Sequence, residues 1–320
     1  MGTYDVSGAN GMWITAPDRA QIRPADMGAG SLVTTLFTGI SRGTERLVLS
    51  GTIPDSEHDR MRAPFQQGDF PFPVKYGYSA VGQATEGAYA GRAVFALYPH
   101  QDQFRLPDDA LIPLPDALPP ERAVLAANME TALNILWDSG AGAGDRITVI
   151  GAGLVGLLVA HLAARLPGAE VTVIDTQTAR ADIATRMGGT FATPEDAQAD
   201  QDIVIHTSAS QAGLVQALSL AAPQATITEA SWHGAAQIAL PLGGAFHSRR
   251  LRIVSSQVGS VPPERAPRWT LRRRLSKALD LLADDRLDHL ISGETSFDRV
   301  ADAYPDILAD PATLCHRITY

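Results

Sequence analysis

The chain has 320 residues, 45% of them hydrophobic, and its 26 lysines and arginines against 35 aspartates and glutamates give a formal net charge of −9. That length and apolar content build one large core or two ordinary domains and exclude a disordered chain. The acidic balance repels phosphate backbones and anionic surfaces, so neither nucleic acid nor a membrane is expected as a partner. A single cysteine, Cys315, excludes an intramolecular disulfide and a multi-thiolate metal cage, which suits a reducing compartment. The start Met1 to Val6 shows no cationic and apolar leader, and the expected location is cytoplasmic.

Up to about Pro120, short β-like runs are broken by glycine and proline: Met12 to Thr15, Ser31 to Ile40, Ser79 to Thr85, Arg92 to Leu97 and Gln103 to Leu106. Pro54 to Pro73 has no clear period and reads as a long surface loop of the kind that borders active sites. Arg122 to Gly140 is expected as a helix after Pro119-Pro120. Strand and helix then alternate: strands at Arg146 to Ile150, Glu170 to Ile174, Ile203 to Thr207 and Ala225 to Glu229; helices at Leu154 to Leu166, Ala179 to Met187 and Gln211 to Ala221. Repeated βαβ units imply a parallel sheet. A strand at Leu251 to Val254 and helices at Leu271 to Leu282 and Phe297 to Leu308 follow. The basic runs Arg249 to Arg252 and Arg272 to Arg274 are expected as solvated edges of a strand and a helix.

Gly151-Ala152-Gly153-Leu154-Val155-Gly156 is a G-x-G-x-x-G that follows one strand, opens a helix and precedes a second strand ending in Asp175. Gly151 permits the tight turn, Gly153 admits a pyrophosphate, and Gly156 lets the helix approach the strand. The start of that helix offers free N–H groups and the positive end of its dipole to phosphate. Asp175, 19 residues after Gly156, is placed to accept from both hydroxyls of an adenosine ribose, which favours NAD over NADP. Arg180 is the residue that would soften that preference. A ligand-free βα turn, a flavin site or a methyl-donor site remain the competing readings of the glycines. His206-Thr207-Ser208 ends a sheet strand at the cofactor edge, and Ser231-Trp232-His233-Gly234 ends the next. His233, alone in its loop, reads as solvated or as a proton shuttle, and His58, His100 and His161 form no evident constellation.

The motif lies behind a β-rich half, and here the sequence resembles the medium-chain dehydrogenase/reductases. Gly39 to Glu45 looks like their first zinc-ligand segment, Lys75 to Gly82 like their Pro-Gly-His-Glu-x-x-Gly segment, Phe297 to Tyr304 like their last helix and Cys315 to Tyr320 like their final strand. Ser41 to Leu47 with Ser50-Gly51 is especially similar to the subgroup containing bacteriochlorophyllide dehydrogenase. At the positions of the catalytic zinc ligands stand Ser41 (or Arg42), Tyr78 and approximately Ala127, none a competent ligand, so the resemblance implies an enzyme without zinc.

It also implies an α/β protein: a GroES-like β domain of residues 1–135 completed by 259–320, and a Rossmann doubly wound parallel sheet over 136–258, with NAD across the cleft between them. The cofactor-binding set is then Gly151, Gly153, Leu154, Val155, Gly156, Asp175, Arg180, Thr131, Thr207 and Ser208, with Thr131 matching the family's nicotinamide-contacting threonine. Tyr78 is the first candidate for general acid, with Ser41 and Thr44 as alternative donors or a relay, and Glu45 as an orienter of Arg42 or Arg46. A packed core aromatic is the competing reading of Tyr78. The expected reaction interconverts an alcohol and a ketone or aldehyde on a small-molecule substrate; quinone or enoyl reduction, and cofactor binding without turnover, are the alternatives. A homodimer through the strand near Leu251 to Ser256 is expected.

Overall fold

A computed structural model describes residues 8–320; the leader reading of Met1 to Val6 lies outside the described residues. In chain order, β1 (Asn10–Ala16), β2 (Arg19–Pro24) and β3 (Ser31–Ser41) precede α1 (Arg42–Leu49), β4 (Gln67–Gly68), β5 (Val74–Lys75), β6 (Ala80–Ala84), β7 (Ala93–Ala96), β8 (Gln103–Leu106) and β9 (Ile112–Pro113). Helices α2 (Pro120–Ala123) and α3 (Ala126–Ser139) lead into β10 (Arg146–Ile150), α4 (Leu154–Ala163), β11 (Glu170–Ile174), α5 (Ala181–Arg186), β12 (Thr190–Ala192), β13 (Gln201–His206), α6 (Gln211–Leu220) and β14 (Ala221–Glu229). The chain closes with α7 (Ala245–Ser248), β15 (Arg252–Ser255), α8 (Leu271–Leu281), β16 (Ile291–Ser296), α9 (Phe297–Ala309) and β17 (Cys315–Thr319).

Two compact units result among the described residues, one running up to residue 127 and taking in 279–320, the other of residues 128–278. The first holds a small sheet ordered β2-β1-β5-β4 and a larger one ordered β16-β17-β3-β6-β7-β9, with β8 added to β3. Its strands pair antiparallel apart from β16 with β17. This is the GroES-like β unit, completed by the chain's last helix and strand.

The second unit is the Rossmann sheet, six parallel strands ordered β12-β11-β10-β13-β14-β15. Its central strands are nearly unbroken apolar runs, as strands covered on two faces must be: Ile147, Val149, Val173, Val204, Ile205 and Ile227 are all buried. Helix α4 packs on β10 and β11, and α6 on β13 and β14. The strand order reverses beside β10, whose neighbours are β11 and β13, so the crevice of an open α/β sheet opens where β10 and β13 end.

Several elements depart from the sequence reading. The helix expected from Arg122 divides into α2 and α3, because the Val124 carbonyl is taken by the Ser79 hydroxyl at 2.5 Å instead of by the next helical turn. The expected loop Pro54 to Pro73 carries a 3₁₀ turn at Asp55–Glu57 and strand β4, and it buries Gln66 and Phe70. Strands β12 and β16 were not expected; they are short or polar edge strands that pair on one side only.

The basic run at 272–274 is not wholly solvated. Arg274 is 1% exposed, donating through Nε to Glu130 Oε1 at 3.0 Å and through its other nitrogens to Asn134 Oδ1 and the carbonyls of Val258 and Ser260. It is thus the internal clamp between α8 and α3. Truncating one partner of a buried ion pair strands the other charge, at roughly 3–5 kcal/mol. Arg274→Ala should lower unfolding stability by that order in a denaturant titration, while Arg272→Ala, on the exposed side of the same helix, should change it by less than about 0.5 kcal/mol.

Candidate functional site

The glycine turn of the second unit is held by contacts that leave one direction free. Gly151 sits at φ +111°, and a Cβ there would lie 2.9 Å from the Ser208 nitrogen. Gly156 is more tightly constrained, since a Cβ would stand 1.9 Å from the Gly151 carbonyl oxygen. Gly153 differs: it is exposed, caps α4 with φ −76° and ψ 177°, and a Cβ would meet nothing within 4 Å. The backbone there tolerates any residue, and the space beside it is open. The first N–H groups of α4 have no partner within the helix and face the end of its dipole where anions bind.

Neighbouring residues brace this turn. Thr207 Oγ1 donates to the carbonyls of Ile150 and Gly151, both at 3.1 Å. Asp175 accepts from the Ala152 N–H through Oδ2 at 2.7 Å and from the Gln177 N–H through Oδ1 at 2.8 Å. Each carboxylate oxygen has one further lone pair available. Leu154 is buried and Val155 half-buried in the first turn of α4, Ser208 is exposed beyond β13, and Thr131 is half-buried on α3. Arg180 is buried at the end of a single 3₁₀ turn, Thr178–Arg180, and is not a free surface cation.

In the first unit, the structure brings Tyr78, Ser41 and Thr44 together. Ser41 ends β3 and caps α1, placing Thr44 and Glu45 in the first turn of that helix. The Tyr78 phenol is pushed up to about 12, first by burial and then by the nearby Glu45 charge, while hydrogen bonds with the Ser41 and Thr44 side chains pull it down. Glu45 is fully buried and does not orient Arg42 or Arg46, as the sequence suggested. Its Oε1 accepts the Ser41 N–H at 2.7 Å, and its Oε2 accepts from His100 Nε2 at 3.1 Å and the Tyr304 hydroxyl at 2.5 Å. Arg42 turns instead to the Leu308 carbonyl.

His100, which formed no constellation in the sequence, is therefore paired. Its Nδ1 lies 2.7 Å from Thr38 Oγ1, itself 3.1 Å from the Tyr320 hydroxyl. The line Tyr304, Glu45, His100, Thr38, Tyr320 draws on β3, α1, α9, the final residue and the loop after β7. No sequence spacing joins these residues; they meet through the packing of several elements, among them the antiparallel pairing of β17 with β3. Cys315 is buried nearby, its thiol pushed up to about 12 by burial and by Glu45.

Residues 139–219 match the family described as "Alanine dehydrogenase/PNT, C-terminal domain". D-guloside 3-dehydrogenase of Escherichia coli K12 is 26% identical over 198 residues, which span 58% of this chain and 57% of that protein. Among solved structures, a putative zinc-binding dehydrogenase from Clostridium scindens is similar at TM-score 0.80 and 16% identity, covering 98% of this chain and 99% of that one. A protein described as a "short chain alcohol dehydrogenase" of Escherichia coli CFT073, complexed with NADH, is similar at TM-score 0.77 and 17% identity, with 98% and 99% covered.

Gly153→Ala isolates what the open side of the turn is for. The substitution should leave the thermal midpoint within about 2 °C, since neither space nor φ opposes it, yet weaken NADH at least tenfold in a fluorescence titration. Gly156→Ala should instead destabilise the fold itself. The two units and the strand order give the chain the fold of these dehydrogenase structures, the fold that the resemblance read from the sequence implies.

Proposed function

We propose that the chain is an NAD-dependent oxidoreductase that interconverts an alcohol and a ketone or aldehyde by hydride transfer, without a catalytic zinc. The observation that carries this reading is the glycine turn, closed to side chains at Gly151 and Gly156 and open at Gly153. The residues fit a dinucleotide: α4 offers N–H groups to the pyrophosphate, Gly153 leaves it room, and the spare lone pairs of Asp175 accept from the adenosine ribose hydroxyls. A 2′-phosphate beside that carboxylate is opposed by like charge. Bound NAD would supply the hydride acceptor. Thr131 and Ser208 complete the proposed cofactor set, and β15, an edge strand paired only with β14 among the described residues, is our proposed homodimer seam.

The groups around Tyr78 do not fit a zinc ion. Tyr78 and Ser41 are neutral hydroxyls, Cys315 keeps its proton far above neutral pH, and Glu45 already serves three donors. Proton donation then falls to the Tyr78 hydroxyl, aimed by Ser41 and Thr44, which stabilises the oxygen that gains charge as hydride arrives at the carbonyl carbon. The name of the sugar-derivative dehydrogenase among its relatives favours a secondary alcohol on a polyhydroxylated ring as substrate.

NADH titration followed by a panel of polyols, ketones and enones tests the whole reading. Turnover of alcohols or ketones is expected; binding with no turnover, or turnover of enones alone, would overturn it. Tyr78→Phe should lower kcat by about 10²-fold or more with NADH affinity unchanged. Asp175→Ser should weaken NADH more than NADPH, and equal losses would remove its ribose role.

A further inference from the structure

We propose that His206, Glu229 and His233 form a binding site for one divalent transition-metal ion, of the Zn²⁺ class, at the end of the parallel sheet in the second unit. His206 closes β13 and Glu229 closes β14, and the two are direct partners in the parallel register. Four residues beyond Glu229, the chain turns back and presents His233. The ligating atoms of all three lie within 4.8 Å of one another, with Glu229 Oε2 in the middle: 2.7 Å from His206 Nδ1 and 3.5 Å from His233 Nε2. The two imidazole rings are nearly parallel, 18° apart with centroids at 6.1 Å.

Tetrahedral ligands about 2.0–2.1 Å from an ion stand about 3.3 Å from one another, so His233 and Glu229 are already at that spacing and His206 has to open by about half an ångström. Two imidazoles and one carboxylate are the donor set of such ions, and too soft for magnesium.

His233 Nε2 supplies a second, independent observation. It is buried and has no hydrogen-bond partner, in contrast to the solvated histidine expected from the sequence. A ring nitrogen hidden from water without a hydrogen-bond partner is costly, and an ion between it and Glu229 would satisfy it. The outer contacts suit ligation too. His206 Nε2 lies 2.7 Å from Ser208 Oγ, which orients the ring, and Glu229 Oε1 accepts the Ser231 N–H at 2.7 Å.

The inference does not depend on the cofactor or on the reaction. The full chain, stripped with a chelator, is titrated with Zn²⁺ by calorimetry and with Co²⁺ while its visible d–d absorption is followed. One equivalent of each should bind at micromolar concentration or tighter, with no response to Mg²⁺. His233→Ala and Glu229→Gln should each weaken binding at least tenfold and abolish the Co²⁺ band, with unchanged circular dichroism. Should Glu229→Gln fail to fold, His233→Ala, a loop substitution, decides the matter alone. No saturable binding, an equal response to Mg²⁺, or full affinity in His233→Ala would overturn the proposal.

Discussion

The close approach of β10 and α4 governs the second unit. The Gly151 carbonyl passes so near Gly156 that no Cβ fits between them, and Thr207 secures the same carbonyl and that of Ile150 from the neighbouring strand. With strand, turn and helix locked at this point, the first N–H groups of α4 are aimed in one direction, and Asp175 is set against the turn by its bond to the Ala152 N–H. A binding site assembled this way is rigid before any ligand arrives, which spares the ordering cost that a flexible loop would incur on binding.

The first unit depends on a different constraint, a carboxylate with no water to solvate it. Glu45 at zero exposure is tolerable only because three donors reach it, and they come from its own helix cap, from the loop after β7 and from α9. Losing any one would leave a buried charge under-satisfied, so the network ties the last helix to the first long strand more specifically than apolar packing does. It also sets the potential felt by Tyr78 and Cys315, since both are raised partly by this charge. The same carboxylate therefore organises the fold and tunes the hydroxyl beside it.

Much of the second unit was legible in the sequence because its signals are local. Strands β10 and β11 fall at the expected Arg146–Ile150 and Glu170–Ile174, each a short apolar run interrupted by a single threonine, Thr148 or Thr172. The glycine turn could be placed because each glycine has its own steric reason. Strands β2, β12 and β16 escaped because edge strands are half solvated and carry no long apolar pattern. The Glu45–His100–Tyr304 line and the His206–Glu229–His233 cluster were invisible for another reason. Their members meet through register and topology, and a histidine or glutamate alone in sequence carries no sign of its partner. The polar ends of two adjacent apolar strands, His206 and Glu229, were the one available clue, and reading it required knowing that β13 pairs with β14.

The raised pKa of the Tyr78 phenol bears on how the proposed chemistry runs. A phenol held near 12 is almost never ionised at neutral pH, so it is a weak base for drawing a proton from an alcohol but a dependable donor to a carbonyl oxygen. A zinc ion would make the alkoxide accessible by its charge; hydroxyls must do so by geometry, and their advantage grows where water is scarce and the donor already points at its target. Ser41 and Thr44 supply that orientation, and both sit at the start of α1, where the helix dipole favours negative charge on a nearby oxygen. On the proposed reading, the hydroxyl that gives its proton to the carbonyl oxygen in reduction takes one back in oxidation through the same contact, so one geometry has to serve both directions.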